Sequence, residues 1–423
     1  MGKVTVSKSR DGFLRDGKPF FYLADTVWMT FSNSSISDWD KYLDYRSEQG
    51  FNAVQISVLP VLHDTSVSDL NEFGFKMVNG KPDFYSINDK YFDKAEQMVA
   101  MAYKRNFVPV LFPLWCNYVP GTWAANRVGA DFTMPFDAIR PYYQYILNRF
   151  APYQPIYGVS GDTRFETKQV SDYYFESLRI IKELSAESLT TMHLTPIDTG
   201  LPQEFIDCPD LDFYMYQSGH DPKSNDNPYK YAELFYKASV KRPTVNGEPC
   251  YEGHGHACVP ERFNAFEVRM ASWQSLLSGS KAGITYGAHG MWSYHRKDMA
   301  FTSELFSGRP YVWETVLRFP GAWDVAFAKW IFETYDLFDI EPCQCVLSDT
   351  KTIRMSRNKN KVIIYAPYDF DVIIDDDLSG YEFSIFILEE KKIAKPTIVF
   401  QDGKTIIKMH SFNSDVLIVG SKK

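Results

Sequence analysis

The stretch IYGVSGDT, residues 156–163, stays apolar or small until Gly161 and then ends on a bare carboxylate, Asp162. A short continuous run of this kind, bounded by glycine, reads as a strand buried on both faces rather than one alternating between core and water. Further along, RPTVNGEPC (242–250) repeats the pattern, with Thr244 and Val245 leading into Gly247 and Glu248. Six more runs share the texture: FFYLAD (20–25), NAVQISVLP (52–60), FVPVLFPLW (107–115), TTMHLTP (190–196), LDFYMYQSGH (211–220) and GITYGAHGMW (283–292). Segments of helical period separate many of them. Examples are SISDWDKYLDYRSEQG (35–50), capped at Ser35 or Ser37 and stopped by Gly50, then 88–106, 171–185 and 260–280. The link between the fifth and sixth strands is short and poorly helical. Eight buried strands returned by helices over roughly 300 residues predict a (β/α)8 TIM barrel. A doubly wound sheet would bring a glycine-rich phosphate turn after its first strand, and no GxGxxG stands there.

Outward from this core, DGFLRDGKPFFYLAD (11–25) reads as an N-terminal hairpin about Asp16-Gly17. Past residue 338 the texture turns to short β-rich runs split at Asn358-Lys359-Asn360, Gly380 and Asp402-Gly403. The expected organisation is a catalytic barrel over 1–338 and a small antiparallel, sandwich-like β domain over 339–423. The chain has 423 residues, 45% apolar and 23% charged, with a net charge of −8. That balance is globular, and it argues against a nucleic-acid or anionic-membrane partner. No run of about 18 apolar residues and no leader-like N-terminus appears, so a cytoplasmic protein is expected, unless an export signal has been removed. Six cysteines without a CxxC pair predict free thiols. Aromatic residues make up 16%. Most belong to a large core, but some are expected to cover the flat faces of a sugar.

Barrel chemistry sits at the C-terminal strand ends. Read there, the sequence offers Asp25, then His63 and Asp64, then Trp115 and Asn117, then Asp162, His193, Gln217 with His220, Glu248, and His289 with Trp292. Strand ends that merely turn would carry Gly, Asn and Pro. Asp25 could instead cap a turn, His193 could be a packing histidine, and Asp64 could cap a loop. Asp162 and Glu248 end strands that face each other across the barrel, as the two carboxylates of a glycosidase must. One donates and later removes a proton, while the other attacks or stabilises an oxocarbenium-like centre. A separation of about 5 to 5.5 Å would serve retention, and roughly 6.5 to 9.5 Å inversion. Their neighbouring glycines fit a backbone passing close to a ligand.

The stretches FFYLADTVWMTF, YLDYRSEQGFNAVQISVLP, IYGVSGDT, DFYMYQSGH, VNGEPCYEG and GAHGMW occur in order along roughly residues 10–335. Together they resemble the apiosidase-like glycoside hydrolases, a bacterial family with clan-A-type barrels. The resemblance implies a retaining double displacement with Asp162 as acid/base and Glu248 as nucleophile, acting on a terminal, apiose-like furanose of a plant glycan or glycoside. Most clan-A barrels have Asn-Glu where this chain has Gly161-Asp162, and an arm one methylene shorter requires a shifted backbone. The C-terminal end lacks the Trp-Tyr-Asp-Pro-Arg-type stretch expected of the family.

The remaining features are weighed against that reading. Glu252, with His254, His256 and Cys258, forms a metal-like cluster, but without the ligand spacing of a zinc site. A loop over the substrate is the better reading, with Glu252 orienting or anchoring. The acidic run DVIIDDDLSG lacks EF-hand spacing and reads as a solvated turn. No metal and no cofactor are expected. Two other functions stay open: a metal-dependent barrel hydrolase, against which the histidines stand singly, and a non-catalytic carbohydrate-binding barrel. The sequence leaves the sugar, its linkage and the oligomeric state undetermined.

Overall fold

A computed structural model describes residues 2–67, 72–196, 200–256, 259–348 and 351–423. Eight parallel strands close into one barrel in sequential order: β1 (Tyr22–Thr26), β2 (Ala53–Ser57), β3 (Val108–Phe112), β4 (Ile156–Thr163), β5 (Thr190–Leu194), β6 (Tyr214–Gln217), β7 (Thr244–Glu248) and β8 (Gly283–Tyr286). Each coincides with one predicted run. The strands are almost wholly buried, as continuous apolar runs demand when side chains fill the barrel on one face and helices cover the other. Inside the barrel, polar atoms pair with one another: Tyr22 donates to Gln55 Oε1, and Gln55 Nε2 donates to the carbonyl of Gly247.

The helix Ile36–Glu48 starts where Ser35 accepts from the Asp38 amide, and Thr167 caps Lys168–Leu184 in the same way. The predicted helix 260–280 is shorter than its pattern. Val259–Arg262 pairs as a strand with Gly255–His256, and the helix Ala265–Leu276 begins only at the Asn264–Glu267 capping box. Among the described residues between β5 and β6, the helix is the four-residue Gln203–Ile206. Three helices that the pattern did not single out, Phe136–Phe150, Asn227–Tyr236 and Gly321–Thr334, complete much of the outer ring. The N-terminal hairpin pairs Phe13–Arg15 with Lys18–Phe20 about Asp16-Gly17, both at positive φ as a tight twisted turn requires.

Beyond the barrel, six antiparallel strands include Lys361–Ala366, Val416–Lys422 and Tyr381–Ile387, and a three-stranded sheet lies against them. Period-two alternation gives the larger sheet two apolar faces. Ile363, Tyr365, Phe386 and Leu417 join the barrel's core, whereas Val362, Ile364, Ile385 and Ile418 pack with Val372, Ile374 and Ile407. A buried charge network fixes this sheet to the barrel. Arg269 donates Nε and Nη2 to Asp415 and Nη1 to Asp324, and Lys391 also donates to Asp324. In the acidic run, Asp371 pairs with Lys408, Asp376 with Arg357, and Asp377 accepts from the Ser379 amide. Five cysteines, Cys116, Cys208, Cys250, Cys343 and Cys345, are free thiols, and Cys258 lies outside the described residues. Among the described residues no helix is long and apolar enough to cross a membrane.

Candidate active site

The C-terminal strand ends open into a cavity of about 600 Å³, a volume suited to one or two sugar units. Glu248 and Asp162 both line it, along with Trp28, Trp115, Trp123 and Trp292.

Glu248 ends β7 and is 7% exposed. Gln217 Nε2 donates to its Oε1 at 3.0 Å, and His220 Nε2 lies 2.9 Å from the same oxygen. His193 Nε2 is 3.2 Å from Oε2, poorly aligned as a hydrogen bond but close enough for strong attraction. The backbone fixes both imidazole tautomers. His220 Nδ1 accepts from the Tyr251 amide and His193 Nδ1 accepts from the Asp162 amide, so in each neutral ring the proton stands on Nε2 and faces Glu248. The Tyr251 hydroxyl, which accepts from Trp28 Nε1 at 2.8 Å, belongs to the same cavity lining. Burial on its own would raise the Glu248 pKa. The contacts from His193 and His220 outweigh burial and hold it at about 2, so the group is a carboxylate throughout the working pH range.

Asp162 stands on β4 in the left-handed region, φ 53°, where a non-glycine residue is strained. Its backbone is clamped on both sides, the amide by His193 and the carbonyl by Trp123 Nε1 at 2.9 Å. The carboxylate Oδ2 lies 3.6 Å from His63 Nε2. His193 therefore touches both acids, binding one by its main chain and the other by its side chain. The adjacent glycines serve packing rather than ligand approach. A Cβ at Gly161 would fall 2.3 Å from the Trp115 ring, and one at Gly247 would fall 2.3 Å from Met215.

Of the other residues read from the strand ends, His63, Asp64, Trp115, Gln217, His220 and Trp292 line the cavity. His193 lies beneath it against Glu248. Asp64 is half-buried, the loss of solvent raises its pKa, and Ser303 lies beside it. Asp25, Asn117 and His289 do not line the cavity either, contrary to the strand-end reading. Asp25 points into the barrel wall, where Arg46 Nε at 2.6 Å and the Tyr42 hydroxyl at 2.8 Å hold it. Asn117 accepts from the Leu62 amide, and His289 Nε2 donates to the Gly308 carbonyl. Glu252 accepts from the Tyr286 hydroxyl (2.6 Å) and the Gly321 amide (2.9 Å), anchoring the start of a helix. The cluster around it does not converge on a metal among the described residues: His254 donates Nδ1 to the Gly255 carbonyl and stacks on His220, while His256 lies near Glu261.

Burial raises the Glu252 pKa to about 7, against the lowering by Tyr286 and Gly321. The folded form thus binds this proton more tightly than the unfolded chain. Stability from this group is fully present below pH 4.5 and is lost as pH rises through 7, a change of about 3 kcal/mol. We expect Glu252→Gln to abolish that loss, measured by urea unfolding at pH 5 and pH 8, and to keep kcat/KM within about tenfold of wild type. A collapse of turnover in a folded variant would return Glu252 to the chemistry.

Sequence reasoning missed Trp28, Trp123, Arg164 and Tyr251. Tyr251 was within reach, three residues beyond Glu248 in the same strand-end segment. Trp123 opens the short helix Trp123–Val128, and Arg164, whose guanidinium lies 5.5 Å over the Trp123 ring, follows β4; no local pattern directs either to the cavity.

The chain was compared with known proteins. A solved structure described as a glycoside hydrolase superposes with a TM-score of 0.83 at 20% identity, covering 100% of this chain and 97% of its own. A glycoside hydrolase family 5 structure from Bacteroides vulgatus gives 0.82 at 21% identity, covering 100% and 93%. At these identities the likeness concerns the fold. No curated protein sequence matches the chain. The sequence profile of the apiosidase-like catalytic domain matches residues 8–339, the whole barrel with its N-terminal hairpin. The chain therefore belongs to the apiosidase-like family of glycoside hydrolases.

Proposed function

We propose that this protein is an exo-acting, retaining glycoside hydrolase that removes a terminal sugar, an apiose-like furanose, from a plant-derived glycan or glycoside. The observation that supports it most is the state of Glu248, an ionised carboxylate held by Gln217 and His220 on a cavity that Asp162 also lines. A nucleophile must be unprotonated and fixed in place, and this one is both. In the first step protonated Asp162 gives its proton to the leaving oxygen while Glu248 bonds to the anomeric carbon. In the second, Asp162 takes a proton from water, the water oxygen attacks the same carbon, and Glu248 leaves as a carboxylate. The backbone strain at Asp162 fits this role, because it carries the short aspartate arm where most related barrels use a longer glutamate.

The tryptophans around the cavity offer flat apolar faces to a sugar, while Asp64 and Gln217 offer polar contacts to hydroxyls. His193 and His220 each accept a backbone amide at Nδ1 and turn Nε2 to Glu248, which speaks against a metal-dependent hydrolase built on them. On apiosides and a panel of other plant glycosides, proton NMR of the first sugar released is expected to show the substrate's own anomeric configuration. Inversion would overturn the role of Glu248 as nucleophile, and cleavage only inside a chain would overturn exo action.

A further inference from the structure

Three consecutive strand ends bring together side chains of different chemistry. His63 follows β2, Cys116 follows β3 and Asp162 is on β4. One ligating atom from each, an imidazole nitrogen, Sγ and a carboxylate oxygen, lies within 4.8 Å of the other two. His63 and Cys116 are buried, and the Asp162 side chain is 15% exposed. His63 Nδ1 is buried with no hydrogen-bond partner. Nitrogen, sulfur and oxygen in this combination form the donor set of a borderline-soft divalent cation, with three protein ligands and a fourth position for water. Bond lengths near 2.0 to 2.3 Å require donors about 3.5 Å apart, so closure needs side-chain movement of roughly 1 Å. His63 and Asp162 line the cavity, which gives an ion its path of entry.

We propose that His63, Cys116 and Asp162 form an inhibitory site for a thiophilic divalent cation such as Zn²⁺. On binding, the Cys116 thiol releases its proton to solvent, and the thiolate, the neutral His63 ring and the ionised Asp162 carboxylate take three coordination positions. A carboxylate so engaged cannot carry the proton that the leaving oxygen needs. The inhibitory effect, though not the binding, rests on the reading of Asp162 as acid/base. Cys116 has no part in the proposed hydrolysis, and the site links turnover to the supply of free zinc.

Cd²⁺ reports the site directly through its ultraviolet thiolate charge-transfer band, without any substrate. Wild type, Cys116→Ser and the double variant Cys343→Ser/Cys345→Ser are titrated with Cd²⁺, the last to remove the other close thiol pair. The expected result is a thiolate band in wild type and the double variant that Cys116→Ser loses. Metal-free turnover of Cys116→Ser stays within about threefold of wild type, while its Zn²⁺ inhibition constant rises at least 100-fold. Cys116→Ala is the substitute if serine disturbs folding at this buried position. A band unchanged in both Cys116 variants, or equal Zn²⁺ sensitivity, overturns the proposal. Asp162→Ala separates the two readings: if it abolishes turnover while the cadmium band is indifferent to Cys116, only the metal site falls. If turnover survives Asp162→Ala while the band depends on Cys116, it is the acid/base reading that falls and the inhibition with it.

Discussion

Replacing Glu248 with alanine is expected to lower kcat by about 10⁴-fold or more, roughly 5 kcal/mol of lost transition-state stabilisation, with the fold retained. Without the carboxylate no covalent intermediate forms, and water cannot replace a nucleophile held in place by Gln217 and His220. The small side chain leaves room beside the anomeric carbon. Azide, an anion suited to the donors of Gln217 and His220, should therefore restore turnover and yield a glycosyl azide of inverted configuration. The measurements are kcat on a cleaved substrate with and without azide, and NMR of the product. Near-wild-type turnover in the alanine variant would sink the assignment. Rescue giving a retained azide would show that attack comes from the other face. Because Glu248 stays ionised down to about pH 2, its own protonation should not limit kcat/KM anywhere above about pH 3.

How far a sequence discloses such a site depends on what holds each residue. The barrel strands were legible because a strand buried on both faces must be apolar throughout, and eight such runs stand in order. The helix Phe136–Phe150 was hidden by Pro141 in its interior, which local rules read as a break, and Gly321–Thr334 opens on a Pro-Gly pair that reads as a turn. The two acids were legible because barrel geometry directs strand-end groups to one mouth. That same rule misplaces Asp25. Successive side chains on a strand alternate between barrel interior and helix layer, and one residue of register decides which way a carboxylate points. The partner was visible in principle, since Tyr42 and Arg46 lie four apart on one face of the next helix. Nothing local ties that pair to Asp25, so only the fold reveals the contact. Trp123, at the start of a short helix, and Arg164, just past β4, were beyond reach for the opposite reason, since long-range contacts position them.

The misplaced aspartate leads to the second large effect. Asp25 and Arg46 both have fully buried side chains, 2.6 Å apart, and Arg46 also donates to Gln49 and to the Leu317 carbonyl. Its guanidinium lies over the rings of Phe51 and Tyr286. Two charges in such a place satisfy each other, and removing one strands the other without water. Arg46→Met is thus expected to destabilise the protein by about 3–5 kcal/mol, lowering Tm by about 3–6 °C. Asp25→Asn should cost somewhat less, because the amide oxygen still accepts from Tyr42 and Arg46. In the double variant Asp25→Asn/Arg46→Met no charge is left stranded, so its loss should fall well short of the sum of the two single losses. Thermal unfolding of the four proteins gives these values, and kcat/KM of the folded fraction should stay near wild type in each. If Asp25→Asn instead raised KM strongly with Tm unchanged, Asp25 would be a sugar ligand after all. The strand-end reading would then be right against the buried ion pair.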